Sequence, residues 1–294
     1  MKLVTFRAAG SDSDAIGVLQ DDGSVVDLGS DPALPTNMVD FVGLGQSGLD
    51  AAAAVVAAGP AIPADQVSLK APIRPSNNIM AVGRNYYEHA QEFSDSGFDA
   101  SEVKVVPDHP IIFTKANSSI VGPTDAIDIS NDPLDKSDYE GELGVIIGPG
   151  GKRISKENAW DHVYGYTVIN DVTARVLQHQ HVQFFIGKSP DTYCPMGPCI
   201  VTRDELSDIE SARLTTVVNG ELRQDATISM LIFDIPTLIE ALSVAIRLEP
   251  GDVIATGTPV GTGIGQEPPV YLKAGDVVEV AVEGIGTISN PVVA

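Results

Sequence analysis

The stretch Asp138-Tyr139-Glu140-Gly141-Glu142-Leu143-Gly144-Val145-Ile146-Ile147-Gly148 decides the fold. Its apolar, β-branched run closed by glycine predicts a buried strand. Side chains alternate along a strand, so Glu140 and Glu142 point to the same face. Two carboxylates side by side at the mouth of a buried strand repel each other and lose hydration. A hard divalent cation held by both relieves that cost, and oxygen ligands suit Mg²⁺, Mn²⁺ or Ca²⁺. In so acidic a chain, an exposed acidic edge is the competing reading.

The surrounding composition narrows the class. A chain of 294 residues is long enough for a substantial core and more than one domain. Hydrophobic residues at 43% and charged residues at 20% describe a soluble globular protein. The 28 Gly and 20 Pro predict many turns and favour a strand-rich fold. A net charge of −22 argues against nucleic acid and against an anionic membrane surface. It leaves room for a small anionic substrate wherever a metal or lysine makes the site locally positive. The start, Met1 to Arg7, lacks the apolar core of a signal peptide, and no run reaches the length of a membrane span. Cys194 and Cys199 are too few for a disulfide framework and fit reduced, buried residues of a cytoplasmic protein.

The pattern divides near residue 70. Residues 1–70 read as a small accessory α+β domain. It has strands at Lys2–Arg7 and Ile16–Leu19, a hairpin through Asp21–Ser24 to Val25–Leu28, and helices around Met38–Leu44 and Leu49–Ala58. A proline-bearing connector, Leu69 to Ser76, marks the boundary. Residues 71–294 read as a second domain, mostly short strands. Asn219-Gly220 between strand-like flanks predicts a hairpin. Ile235 to Arg247 predicts an amphipathic helix, capped by Asp234 and stopped by Glu249-Pro250-Gly251.

Several residues carry candidate chemistry. Asp171 ends the apolar run before Val172-Thr173-Ala174-Arg175 and supplies either a third carboxylate ligand or a helix cap. Lys188, among the turn residues of Gly187-Lys188-Ser189-Pro190, meets an anion or faces solvent. His89 and Glu92 are three apart and share one helical face. They form either a general-base dyad or a surface pair. The loop Thr256-Gly257-Thr258-Pro259-Val260-Gly261-Thr262-Gly263 has amides and hydroxyls that can hold a carboxylate. It has neither a phosphate-loop ending nor a dinucleotide fingerprint.

Taken in order, these segments resemble the fumarylacetoacetate hydrolase superfamily over about residues 69–290. The resemblance rests on Val82-Gly83-Arg84-Asn85-Tyr86, on Glu140-Gly141-Glu142, on Asn170 to Arg175, and on Gly187-Lys188-Ser189 continuing to Cys194-Pro195-Met196-Gly197-Pro198. It continues through Asn219 to Gln224 and Leu248 to Pro259. It implies a mainly β (α+β) fold, a β-roll catalytic domain behind a small N-terminal α+β domain, working as a homodimer. It implies Mg²⁺ or Mn²⁺ on Glu140, Glu142 and Asp171. It makes Lys188, Thr258 and Arg84 substrate contacts, with Lys188 also catalytic, and His89 and Glu92 a water-activating dyad. Pro190 departs from the aromatic usual there.

The activity that follows from the resemblance is hydrolysis of a C–C bond in a 2,4-diketo acid, an acylpyruvate, giving pyruvate and a carboxylic acid. The same metal–enolate site supports decarboxylation of oxaloacetate or keto–enol tautomerisation and isomerisation. A metal-binding scaffold has no use for Lys188, His89 and Glu92 together. The segment from Phe93 to Val106, rich in Ser, Asp and Gly, reads equally as a lid or a plain loop.

Overall fold

The computed structural model describes residues 1–97 and 104–294; positions 98–103 of the lid-or-loop segment lie outside the described residues. The strand Gly141–Ile147 sits inside the larger of the sheets. It pairs antiparallel with Val163–Asn170 on one side and Val253–Ala255 on the other. Leu143, Val145 and Ile147 enter one hydrophobic cluster and Ile146 enters another. Apolar residues on both faces are what a central strand of a covered sheet requires.

One cover is a second sheet, ordered Glu221–Thr227, Arg213–Val218, Val277–Val282, Gly286–Val293, Ile127–Asp128. Its Leu214, Val278, Val280 and Ile288 share a cluster with Leu143 and Val145. The other cover comes from helices α1 (Met38–Gly43) and α2 (Gln46–Ala58), whose Met38, Phe41 and Ala52 join the cluster of Ile146. Further helices among the described residues are α3 (Tyr87–Asp95), α4 (Arg175–Gln180), α5 (Phe185–Lys188) and α6 (Ile235–Ser243). The architecture is sheet-rich α+β with few helices, as expected from the sequence.

The strands before residue 70 do not form a detached sheet. Lys2–Ala8 pairs with Cys194–Thr202 through Lys2↔Val201 and Leu3↔Ile200, so one sheet runs through both parts of the chain. Asn219 (φ 53°) and Gly220 (φ 81°) make the hairpin turn, with Val218 opposite Glu221. Two consecutive left-handed residues give the turn the twist of its strands.

Helix α6 begins as read, with Asp234 Oδ1 accepting from Thr237 N at 2.9 Å, but it stops at Ser243 rather than Arg247. The cause is competition for the Ser243 carbonyl. It accepts from Arg153 N at 2.7 Å, and Ser243 Oγ accepts from Ile154 N at 2.9 Å. The carbonyl that Arg247 N would use to extend the helix is thus engaged by Arg153, while Ile246 N still donates to Leu242 O at 3.4 Å and its side chain is exposed. Both cysteines are free, and burial pushes their thiols up, to about 12 for Cys194 and about 11 for Cys199. No helix among the described residues is long and apolar enough to cross a membrane.

Candidate active site

Strand register assembles the acids. Gly141 pairs with Asn170, so Glu140 and Asp171 fall side by side. Asp171 N donates to Glu140 O at 2.7 Å, and Glu140 N donates to Asn170 Oδ1 at 3.0 Å. Asp171 is thus not a helix cap; α4 begins after Ala174. One oxygen from each of Glu140, Glu142 and Asp171 lies within 4.8 Å of the others, and all three residues are buried. The glycine between the glutamates is a packing requirement. A Cβ at Gly141 would stand 2.2 Å from Thr216 Oγ1 and 2.9 Å from Val280 Cγ1 of the second sheet.

Buried cations surround these acids. Lys188 Nζ lies 2.6 Å from Glu140 Oε2 and 2.7 Å from Asp171 Oδ2. It ends the short helix α5 instead of lying in a loop, and it is buried. Arg175 places Nη1 2.6 Å from Glu140 Oε1 and Nη2 2.7 Å from Asp138 Oδ2. Lys115 Nζ stands 2.6 Å from Asp171 Oδ1 and donates to the backbone carbonyls of Val172 and Lys188. Burial works against the charge of both glutamates. For Glu140, Lys188 and Arg175 outweigh it and hold the carboxyl well below the usual range. For Glu142, burial together with the charges of Asp171 and Glu140 pushes the carboxyl well up.

The donor set fits a hard divalent cation. With all four carboxylates ionised, Asp138, Glu140, Glu142 and Asp171 oppose Lys115, Arg175 and Lys188, which leaves one negative charge over. Glu142 makes no ion pair among the described residues and accepts from Gly257 N at 2.9 Å. Lys115 approaches Asp171 Oδ1 off the hydrogen-bonding direction, so this buried oxygen has no hydrogen-bond partner among the described residues. A buried carboxylate without a counter-cation, clustered with two further carboxylates, offers the oxygen ligands that Mg²⁺ or Mn²⁺ takes.

Helix α3 brings the dyad to the same place. His89 Nδ1 and Glu92 Oε2 are 2.8 Å apart and both side chains are buried. His89, Arg84, Glu140, Arg175, Lys188 and Thr258 all line one cavity of about 20 Å³. Phe113 and Phe184 complete its wall near Lys188, whose Nζ lies 5.1 Å from the Phe113 ring centroid. Arg84 holds a left-handed backbone, φ 55°, and its guanidinium carbon lies 5.0 Å from the Phe93 ring centroid. Thr258 Oγ1 donates to Gly141 O at 2.9 Å and accepts from Gln224 Nε2 at 2.8 Å.

The Gly/Thr loop does hold carboxylates, and they are the protein's own. Gly257 N binds Glu142. Gly261 N donates to Glu92 Oε1 at 3.0 Å and Thr262 Oγ1 to Glu92 Oε2 at 2.8 Å. Gly263 N and Ile264 N donate to Asp138 at 2.7 and 3.1 Å. Burial raises the Glu92 carboxyl, but His89, Gly261 and Thr262 together outweigh it and set it below its ordinary value.

Residues that sequence reasoning left without a role are Asp138, Arg175, Gln224 and Lys115. The first three stand inside segments quoted above for other reasons. Lys115 ends the strand Ile111–Lys115, and a lysine closing an apolar strand is the one signal it offers.

Residues 78–293 match the family described as fumarylacetoacetate (FAA) hydrolase, C-terminal. The chain belongs to the fumarylacetoacetate hydrolase family. It is 49% identical over 228 residues to oxaloacetate tautomerase YisK of Bacillus subtilis strain 168, covering 77% of this chain and 73% of that one. It is 42% identical over 298 residues to the mitochondrial oxaloacetate tautomerase fahd2 of Xenopus laevis, covering 100% and 90%. Among solved structures it resembles the fumarylacetoacetate hydrolase of psychrophilic Exiguobacterium antarcticum, with TM-score 0.83, 42% identity and 99% of each chain covered. It also resembles maleylpyruvate hydrolase of Sphingobium sp. SYK-6 in complex with manganese(II) and pyruvate. There the TM-score is 0.80 with 28% identity, covering 100% of this chain and 99% of that one. Family membership accounts for the β-rich fold and makes the chain an enzyme of this superfamily.

Proposed function

We propose that this protein is a metal-dependent enzyme that interconverts the keto and enol forms of oxaloacetate or a similarly small 2-oxo diacid. Glu140, Glu142 and Asp171 hold Mg²⁺ or Mn²⁺. When bound, the ion supplies a Lewis acid that stabilises enolate charge. The observation that carries the proposal is His89, held by Glu92, on the wall of a cavity of about 20 Å³ shared with Glu140 and Lys188. A base, an acid-lined metal site and a cation suffice for enolisation. The names of the two relatives above support the same substrate.

The roles follow from the contacts. Bonding of His89 Nδ1 to Glu92 leaves Nε2 as the basic nitrogen. Nε2 takes a proton from carbon 3, Glu92 stabilises the imidazolium, and the proton is returned to the 2-oxo oxygen. Lys188 and Arg175 face the anionic substrate, Lys188 nearest the developing enolate charge. Arg84 and Thr258 complete the substrate contacts. We take the working form to be a cytoplasmic homodimer, in line with the resemblance.

A second reading keeps acylpyruvate hydrolysis. His89 positioned by Glu92 equally suits activation of water for attack on a 4-oxo carbon, and the maleylpyruvate hydrolase neighbour supports it. The deciding experiment incubates Mn²⁺-loaded protein separately with oxaloacetate and with acylpyruvates, following enol absorbance and analysing products by mass spectrometry. Accelerated keto–enol exchange without C–C cleavage establishes the tautomerase. Pyruvate plus a carboxylic acid from an acylpyruvate, with no acceleration of exchange, replaces it with the hydrolase.

A further inference from the structure

The side chain of Glu92 crosses directly over Gly265. A Cβ built on Gly265 would stand 1.7 Å from Glu92 Oε1, 2.2 Å from Cδ and 2.4 Å from Cγ. The backbone of Gly265 has no left-handed φ that would itself demand glycine. What demands it is the space that Glu92 occupies. Gly261 N and Thr262 Oγ1 then grip the two carboxylate oxygens, and Oε2 also reaches His89 Nδ1. The next two amides, Gly263 and Ile264, bind Asp138, which holds Arg175 against Glu140. One short loop thus grips the dyad with its first half and the acidic centre with its second.

We propose that Gly265 and Thr262 are positioning residues for the His89–Glu92 base, fixing Glu92 so that His89 presents Nε2 to the cavity. The inference rests on the role given to His89 above. Neither residue touches substrate. Gly265 makes room for the carboxylate, Thr262 orients it, and Asp138 anchors the loop that carries both. The alternative is that the loop merely stabilises the fold.

Gly265→Ala separates the two. The nearest atoms to the added methyl belong to the end of a flexible side chain, so Glu92 moves and the fold remains. Neighbouring glycines give no such test, since a Cβ at Gly261 would meet Arg223 O at 1.9 Å and one at Gly263 would meet Val270 O at 2.0 Å. The expected result for Gly265→Ala is a kcat about 10- to 100-fold lower, less than the roughly 10²- to 10⁴-fold that loss of the base itself costs. KM and Mn²⁺ affinity stay near wild type, and Tm falls no further than in Glu92→Gln. Thr262→Val shows a smaller loss in the same direction, and Thr262→Ser restores it. Gly43→Ala, where a methyl meets nothing within 4 Å, is the control and leaves every quantity unchanged.

Nitrogen NMR of the imidazole, assigned with His89→Gln, provides a readout that needs no turnover. Wild type shows the protonated Nδ1 of His89 hydrogen-bonded to a carboxylate, and Gly265→Ala loses that signature. An altered signature with no oxaloacetate turnover in wild type supports the positioning role and overturns only the substrate. Wild-type kcat and an unchanged signature in Gly265→Ala overturn the positioning role. So does a loss of activity matched by equal losses of Tm and Mn²⁺ binding.

Discussion

Gly257 N donates to Glu142 Oε2 at 2.9 Å, and this backbone amide, rather than a lysine or arginine, is what Glu142 meets among the described residues. Glu140 and Asp171 each have ammonium or guanidinium partners. Burial and the neighbouring charges of Asp171 and Glu140 therefore keep Glu142 a proton acceptor well above its ordinary 4.5. A metal ion entering the site competes with that proton. Mn²⁺ affinity should fall as pH is lowered, with proton release on binding. Calorimetry in buffers of different ionisation enthalpy measures it, and release-free binding at constant affinity would sink the assignment.

The same imbalance predicts an unusual stability effect. A carboxyl whose folded pKa is raised stabilises the fold at low pH, and that contribution is lost as pH rises through the folded value. Metal-free protein thus carries an uncompensated charge once Glu142 ionises. Glu142→Gln should raise the metal-free Tm at alkaline pH, with roughly 2–4 °C for each kcal/mol recovered. It should also abolish the further rise that Mn²⁺ gives wild type. Thermal scans with and without Mn²⁺ read both, and a lower metal-free Tm in the variant contradicts the charge argument.

Lys115 poses the reverse case. Its ammonium is buried 2.6 Å from Asp171. Lys115→Met leaves Asp171 short of a counter-charge and should cost about 3 kcal/mol in the metal-free protein, the scale of a broken buried pair. Mn²⁺ should narrow the gap, because it supplies charge to the same carboxylate. Denaturant titrations with and without Mn²⁺ test this; an equal loss in both places Lys115 in structural support alone.

The acids were legible because strand alternation is a local rule. Glu140 and Glu142 share a face in any regular strand, and the apolar run after them marked the strand as buried. Asp171 needed the register between two strands, which a single sequence carries only as hydrophobic pattern. Helix α3 and its dyad followed from three-residue spacing. The exchange of partners that shortens α6 was not legible, because Arg153 and Ser243 meet only in the folded chain. Lys115 was invisible for the same reason. The Gly/Thr loop reads as a holder of carboxylates, but nothing local indicates that Glu92, Asp138 and Glu142 are the carboxylates it holds.

Glu92 gives a pH dependence of opposite sign to Glu142. Its folded pKa lies below the ordinary 4.5, because His89, Gly261 and Thr262 outweigh burial. Its contribution is therefore present above pH 4.5 and lost as pH falls through the lower folded value. The stability gap between wild type and Glu92→Gln should be full at neutral pH and close below pH 4.5. Parallel denaturation curves from neutral to acid pH measure it. A gap that persists unchanged into acid would mean that the Glu92 charge contributes nothing.

His89→Ala separates the reactions open to this site. Enolisation needs a base at carbon 3, so keto–enol exchange should fall by about 10²- to 10⁴-fold. Hydrolysis of an acylpyruvate needs the same nitrogen to activate water and should fall likewise. Decarboxylation of oxaloacetate needs no base, since the electrons left by departing carbon dioxide form the enolate directly. Any decarboxylase activity of wild type should therefore survive in His89→Ala, while Glu140→Gln, which removes a metal ligand, should abolish all of it. Deuterium uptake at carbon 3 and carbon dioxide release, followed in the same samples, measure the two paths independently. Undiminished deuterium uptake in His89→Ala would overturn His89 as the base.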